Sequence, residues 1–178
     1  MHKRISHIFT FISNFKKEEI LSLDKNIGII FRNYEKNLDI DNILKLKNFC
    51  KIHNRKLFLS NNLKMAAKLN LDGAYIPSFN RDLGIIKFNL KKNFLILGSA
   101  HNIFEIKIKE KQGVDMIFLS PLFNTKDKNG LGIIKFNILS KMSVKKIIAL
   151  GGINKKNLNK IGFINCSGFC AISHFQKS

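Results

Sequence analysis

Short apolar runs without polar alternation recur along the chain at 8–12, 26–31, 57–59, 73–76, 94–97, 116–119, 146–150 and 168–172. A strand that is apolar at every position is one buried on both faces, as in a parallel sheet covered by helices. Helical spacing fills the intervals. Lys16–Leu23 carries Glu18 and Glu19 near its start, where the helix dipole favours acids. Asp39–His53 sets Ile40, Ile43, Leu44, Leu46, Phe49 and Cys50 on or near one face, with Asp39 or Asp41 as its cap. Further helices are predicted over Leu63–Leu69, Ile103–Gln112, Ile134–Met142 and Lys156–Ile161, whereas Arg81–Lys92 has no clear period. Eight strands alternating with helices predict an α/β chain folded as one small (β/α)8 TIM-type barrel over residues 1–178. After Ser173 only a few residues remain, so the final helix is expected to be truncated or missing. The apolar surface it would cover is expected to be hidden by the amino terminus or by a second copy, hence a homo-oligomer.

In such a barrel every loop that leaves a strand toward its helix lies at one end, where ligands bind. Three of these loops carry chemistry. Phe94–Leu97 runs into Gly98-Ser99-Ala100-His101-Asn102, and Lys146–Leu150 into Gly151-Gly152-Ile153. Between them, Met116–Leu119 runs into Ser120-Pro121-Leu122-Phe123-Asn124-Thr125-Lys126-Asp127-Lys128-Asn129-Gly130-Leu131-Gly132. Thr125 offers a hydroxyl, Lys126 and Lys128 point charges, and Gly130 and Gly132 a backbone that an anion can approach closely. That is the equipment of a phosphate loop.

Ser99-Ala100-His101, Leu119 to Thr125 and Ala149-Leu150-Gly151-Gly152-Ile153, in this order and spacing, resemble the second half of thiamine phosphate synthases and of the related thiazole tautomerases. The resemblance is weak before Asp39 and good from Asn93 to Ser173. It implies an enzyme of thiamine biosynthesis whose partners are small phosphorylated pyrimidine and thiazole substrates. The reaction it implies joins hydroxymethylpyrimidine diphosphate to a thiazole phosphate and releases diphosphate. Such chemistry rests on position and charge rather than on acid–base machinery. By the resemblance, Arg32 and Lys128 would hold the diphosphate, Ser99 would lie near the pyrimidine, Asn61 would be the substrate-binding asparagine after the third strand, and Thr125, Gly151, Gly152, Ile172 and Ser173 would lie on the thiazole phosphate side. His101 falls where the tautomerase carries its proton-transferring residue, and an imidazole titrating near neutrality suits that work. A tautomerase-like isomerase, or a non-catalytic binder of a small phosphate ester, are the alternatives. The resemblance also implies Mg2+, but its two aspartate ligands fall on Asn62 and Asn80, which weakens any hard-cation site. Other departures are Ile30, Tyr34 and Asp127, in place of a glutamine, a lysine and a threonine, and Pro77-Ser78, which is tautomerase-like.

Charge raises one competing reading. With 31 Lys and Arg against 12 Asp and Glu the net charge is +19, which invites nucleic acid. The lysines are spread over the whole length, there is no Trp, and most of the 16 Phe sit inside apolar runs, so stacking platforms are missing and no nucleic-acid partner is expected. Cys50, Cys166 and Cys170 are odd in number and lack paired metal-ligand spacing. The apolar stretch behind Met1-His2-Lys3-Arg4 is too short for a signal peptide, and no run approaches a bilayer span. A cytoplasmic protein with no membrane partner is the expectation.

Overall fold

Eight parallel strands, each hydrogen-bonded to the next in chain order and the last to the first, close into a barrel in the computed structural model. The structure describes residues 7–33, 39–84 and 90–171. The strands are β1 (His7–Ile12), β2 (Ile27–Phe31), β3 (Leu57–Ser60), β4 (Gly73–Ile76), β5 (Leu95–Ala100), β6 (Met116–Leu119), β7 (Lys146–Leu150) and β8 (Gly168–Cys170). Helices α1 (Lys17–Leu21), α2 (Ile40–Ile52), α3 (Leu63–Lys68), α4 (Ile103–Lys111) and α5 (Gly132–Lys141), with a 3₁₀ helix at Leu158–Phe163, form the connections. Closure is made where His7 and Phe9 pair with Gly168 and Cys170. The segment after Ala171, on which the missing-helix expectation rests, lies outside the described residues, as do Tyr34, Ile172 and Ser173.

The strands are mostly apolar because they have two buried faces, the exceptions being Thr10, Ser60 and Ser99 in their interiors or at their exits and His7 and Lys146 at their starts. One face feeds a core between strands and helices, built from residues such as Ile29, Leu57, Ala74, Ile117, Ala149 and Phe169. The other fills the barrel with Phe9, Phe11, Ile30, Phe58, Tyr75, Leu97, Met116, Phe118, Ile148 and Cys170. Its rings meet edge-on or tilted: Phe9 with Phe58 at 5.8 Å and Phe118 at 5.1 Å, Tyr75 with Phe11 at 5.1 Å and Phe118 at 5.4 Å. Rings of this size fit because small residues face them. A Cβ at Gly28 would stand 2.8 Å from the Phe9 ring, and one at Gly73 2.8 Å from that of Phe58.

Two aspartates tie strand to strand at the opposite end from the exit loops. Asp72, just before β4, accepts the Leu57 N–H of β3 at 2.9 Å, and Asp115, just before β6, accepts that of Ile96 in β5 at 2.7 Å. Beside them Arg55, 6% exposed, donates to the carbonyls of Leu23 and Asp24 and anchors the turn into β2.

Three boundaries differ from the sequence pattern. β5 continues through Gly98-Ser99-Ala100, because Ser99 and Ala100 pair with Phe118 and Leu119, so Ser99 is a strand residue rather than a loop residue. α5 begins at Gly132, where the Leu131 and Gly132 amides bond back to Pro121 and Leu122. The expected helix over Lys156–Ile161 is instead the 3₁₀ turn. The Asn154 and Asn157 side chains bond to nearby main chain and hold the preceding segment in turns, leaving too little chain for α-helical propagation.

Candidate functional site

The β6 and β7 exit loops are laced together beyond the sheet. Leu122 N–H donates to Leu150 O at 2.8 Å and Phe123 N–H to Gly151 O at 3.1 Å, extending the strand pairing into the loops. The β6 loop then closes on itself. Thr125 N–H donates to Lys128 O at 2.9 Å, Lys128 N–H to Thr125 Oγ1 at 3.1 Å, and Gly130 N–H to Asn124 Oδ1 at 2.7 Å. Thr125, Lys126 and Lys128 are all exposed. The two loops approach so closely only because glycine stands at the contact: Gly152 has φ +69°, and a Cβ there would lie 2.6 Å from the carbonyl oxygens of Phe123 and Asn124.

What remains between the loops is an open cavity of about 360 Å³ lined by Leu122, Phe123, Asn124, Gly130, Gly132, Gly152, Asn154 and Asn157. Carboxamides and peptide groups line it, with no carboxylate among them. Asn157 shapes its floor, donating to Gly152 O at 2.8 Å while its Oδ1 accepts the Asn154 N–H at 2.9 Å. The lining amides of Leu122, Phe123, Gly130, Gly132, Asn154 and Asn157 are bonded within the loops, so what the wall offers an anion is polar surface with no carboxylate to repel it. The sequence motifs point to Gly151 and Gly152 but pass over Asn124, Asn154 and Asn157. The available signal was an Asn two residues beyond Gly-Gly with another three later, the spacing of a side chain that caps a turn.

Toward the barrel axis, Arg32 follows β2 directly, its N–H continuing the ladder to Ile12 O at 2.8 Å. Its guanidinium lies over the Phe11 ring, 4.6 Å from the centroid, at the top of the aromatic interior. Ser99 shares the inward side of β5 with Leu97 and is buried. His101, half-buried, stands at the end of the same strand with Nδ1 2.7 Å from Ser120 O and 3.1 Å from Ser120 Oγ. A carbonyl oxygen can only accept, so at this distance Nδ1 carries the proton and the neutral ring keeps its basic lone pair on Nε2. The backbone around His101 is held by α4: Asn102 Oδ1 caps the Glu105 N–H at 3.0 Å, and Glu105 Oε2 accepts the His101 N–H at 2.7 Å.

Asn61 follows β3 with φ +56°, its N–H bonded to Tyr75 O at 2.7 Å. Its Oδ1 accepts from Asn80 Nδ2 at 2.9 Å, so the β3 and β4 exits are joined through two carboxamides. Asn80 Oδ1 in turn accepts the Asp82 N–H at 3.1 Å, and Asn62 Oδ1 caps α3 by accepting the Met65 N–H at 3.0 Å. These two positions do not fit a magnesium ion. Both donors are neutral, each oxygen is engaged by a backbone amide, and no cluster of three His, Cys, Asp or Glu occurs among the described residues.

Below that corner lies a group absent from the motif reading. Lys109 of α4 is fully buried, and its ammonium donates to Pro77 O at 2.8 Å, Asn80 O at 2.7 Å and Gln112 Oε1 at 2.8 Å. Gln112, also fully buried, donates to Asn80 O at 3.1 Å and Asp82 O at 2.8 Å. Burial lowers the Lys109 pKa to about 8, with Glu105 pulling upward and Arg81 adding to the fall. Cys50 and Cys170 are buried thiols whose pKa burial raises, for Cys50 to about 12, so neither is a nucleophile near neutrality.

The sequence profile described as thiamine monophosphate synthase matches residues 22–175. A thiamine-phosphate synthase of Methanococcus maripaludis is 28% identical over 132 residues, 72% of this chain and 63% of that protein. One from Clostridium acetobutylicum is 29% identical over 136 residues, 75% of this chain and 64% of the relative. The chain thus spans a little under two thirds of these relatives' length. Among solved structures, a thiamine phosphate pyrophosphorylase from Pyrococcus furiosus superposes with a TM-score of 0.74 at 16% identity, covering 96% of this chain and 87% of that one. FabK from Thermotoga maritima, at TM-score 0.69 and 10% identity over 96% of this chain and 59% of its own, shares the fold alone.

Proposed function

This chain belongs to the thiamine monophosphate synthase family, and from that premise we propose that it joins hydroxymethylpyrimidine diphosphate to a thiazole phosphate, releasing diphosphate. The observation that carries the reading is the cavity between the β6 and β7 exits, where Gly152 lets two loops meet beside a carboxylate-free space of about 360 Å³, roomy enough for a small phosphate ester. The thiazole phosphate would sit there against Gly152, with Thr125 and Gly151 on the two flanking loops but outside the cavity lining. Its ring nitrogen would attack the methylene carbon of the pyrimidine as the carbon–oxygen bond to diphosphate breaks. Arg32 and Lys128 would hold the departing diphosphate, and Arg32 suits the task because its planar fork is steadied on Phe11. Ser99 would orient the pyrimidine, and Asn61, at the β3 exit, would donate to the same substrate.

The test is product formation from both substrates by the purified chain. Arg32→Ala and Lys128→Ala are each expected to cut kcat/KM by about 10²-fold or more, as loss of a charge-stabilising group does. Turnover at the wild-type rate in both variants would remove the assignment.

A second reading, thiazole tautomer interconversion, is favoured by the His101–Ser120 contact, which leaves Nε2 as the base. Conversion of the tautomer alone, lost in His101→Ala and retained in Arg32→Ala, would select it. Either activity fits a homo-oligomer, since α5 leaves Ile134 and Ile138 79% and 57% exposed on one face beside Phe163 at 72%. Light scattering at micromolar concentration should return more than a single-chain mass, and a monomer would count against association.

A further inference from the structure

We propose that the β3–β4 corner of the mouth receives a diphosphate without a divalent ion, on amide donors held in place by the buried ammonium of Lys109. This rests on the transferase reading above and specifies how that site meets its charged substrate.

Three observations point the same way. The oxygens of Asn62 and Asn80, which would have to face a cation, are each drawn toward a backbone N–H instead. The Asn61 oxygen is likewise taken, by Asn80 Nδ2, so the group Asn61 has left for a ligand is its NH2, a donor that suits an anion. Behind the loop, Lys109 places a full positive charge 2.7 Å from Asn80 O, with no exposure to water to screen it. A dication set beside Asn80 would be repelled by that charge, and an anion attracted. Gln112 completes the clamp by holding Asn80 O and Asp82 O, so the loop is fixed before any ligand arrives. Preorganised donors and a resident cation do here what a bound metal would otherwise do. Lys109 acts through Asn80 and Asn61, and is a positioning residue.

Calorimetric titration of the full-length protein with inorganic diphosphate, in EDTA and again with Mg2+, tests this directly. Affinity is expected to agree within about three-fold between the two conditions, under 1 kcal/mol. Inorganic monophosphate, the probe for the β6–β7 cavity, is the internal control. Lys109→Met is expected to weaken diphosphate at least about ten-fold, 1.4 kcal/mol, while leaving monophosphate unchanged, a split that general loosening of the fold would not produce. In Asn62→Asp/Asn80→Asp, diphosphate binding is expected to become Mg2+-dependent. If wild-type affinity for diphosphate collapses in EDTA while monophosphate still binds, this inference is wrong and the transferase reading stands. If neither anion binds in either condition, both fall. Should Lys109→Met fail to fold, Asn61→Ala, which removes the free NH2, takes its place: diphosphate is expected to weaken about ten-fold with monophosphate unchanged, and wild-type affinity for diphosphate would overturn the proposal.

Discussion

Gly152 and Lys109 show how differently single residues advertise themselves. Gly152 sits in a recognisable Gly-Gly after an apolar strand, and its need for positive φ and for an absent Cβ is what the motif encodes. Gly152→Ala would force two loops apart against both penalties, of about 1–3 kcal/mol for the strained backbone alone. The expected result is loss of monophosphate binding by calorimetry with a modest drop in thermal midpoint. Lys109 gives no such signal, because in a chain with 31 basic residues a lysine reads as solvated surface. The carbonyls of Pro77 and Asn80, brought to it from some thirty residues away in sequence, together with the Gln112 side chain at the end of its own helix, make its burial tolerable. Its folded pKa of about 8 lies below the unfolded value near 10.5, so between those limits the unfolded chain holds the extra proton. The lysine's contribution to stability therefore rises as pH increases through that window. Urea unfolding of wild type and Lys109→Met from pH 7.5 to 10 should show the difference moving in favour of wild type, and parallel profiles would refute it.

At the level of elements, the apolar runs placed every strand because burial on both faces leaves few polar positions to confuse the pattern. Ends were less legible. The continuation of β5 to Ala100 depends on β6 lying alongside, and the 3₁₀ turn after β7 on asparagine side chains that compete with helix hydrogen bonds. The α4 cap matters beyond its own helix, since Asn102 and Glu105 fix the backbone that presents His101. Asn102→Ala should cost about 1 kcal/mol in denaturant unfolding. Asp72→Ala, which frees the Leu57 N–H between β3 and β4, should cost about 1–2 kcal/mol without altering substrate KM, because it lies at the far end of the barrel from the exit loops.

For the whole molecule, the parallel closed ring gathers Arg32, Asn61, Ser99, His101, Thr125, Lys128 and Gly152 at one end, although they come from five different strand exits. The net charge of +19 adds a long-range attraction for phosphorylated ligands. Raising salt from about 0.05 to 0.5 M shortens the Debye length and should raise KM for a diphosphate substrate more than for a monophosphate, measured by initial rates. Equal salt dependence would argue that local contacts alone do the binding. No helix among the described residues is long and apolar enough to cross a membrane.

The amino-acid sequence by itself determined the alternation of strands and helices, the barrel that follows from it, and the glycine and serine motifs of three exit loops, because each is set by neighbours within a few residues. Tertiary structure alone decided that Asn61 and Asn80 bond to each other, that Asn154 and Asn157 shape the cavity, and that Lys109 is buried beneath the β4 exit. Those contacts join segments whose proximity exists only once the ring has closed, and a hydrogen bond between distant carboxamides leaves no period in the chain to read.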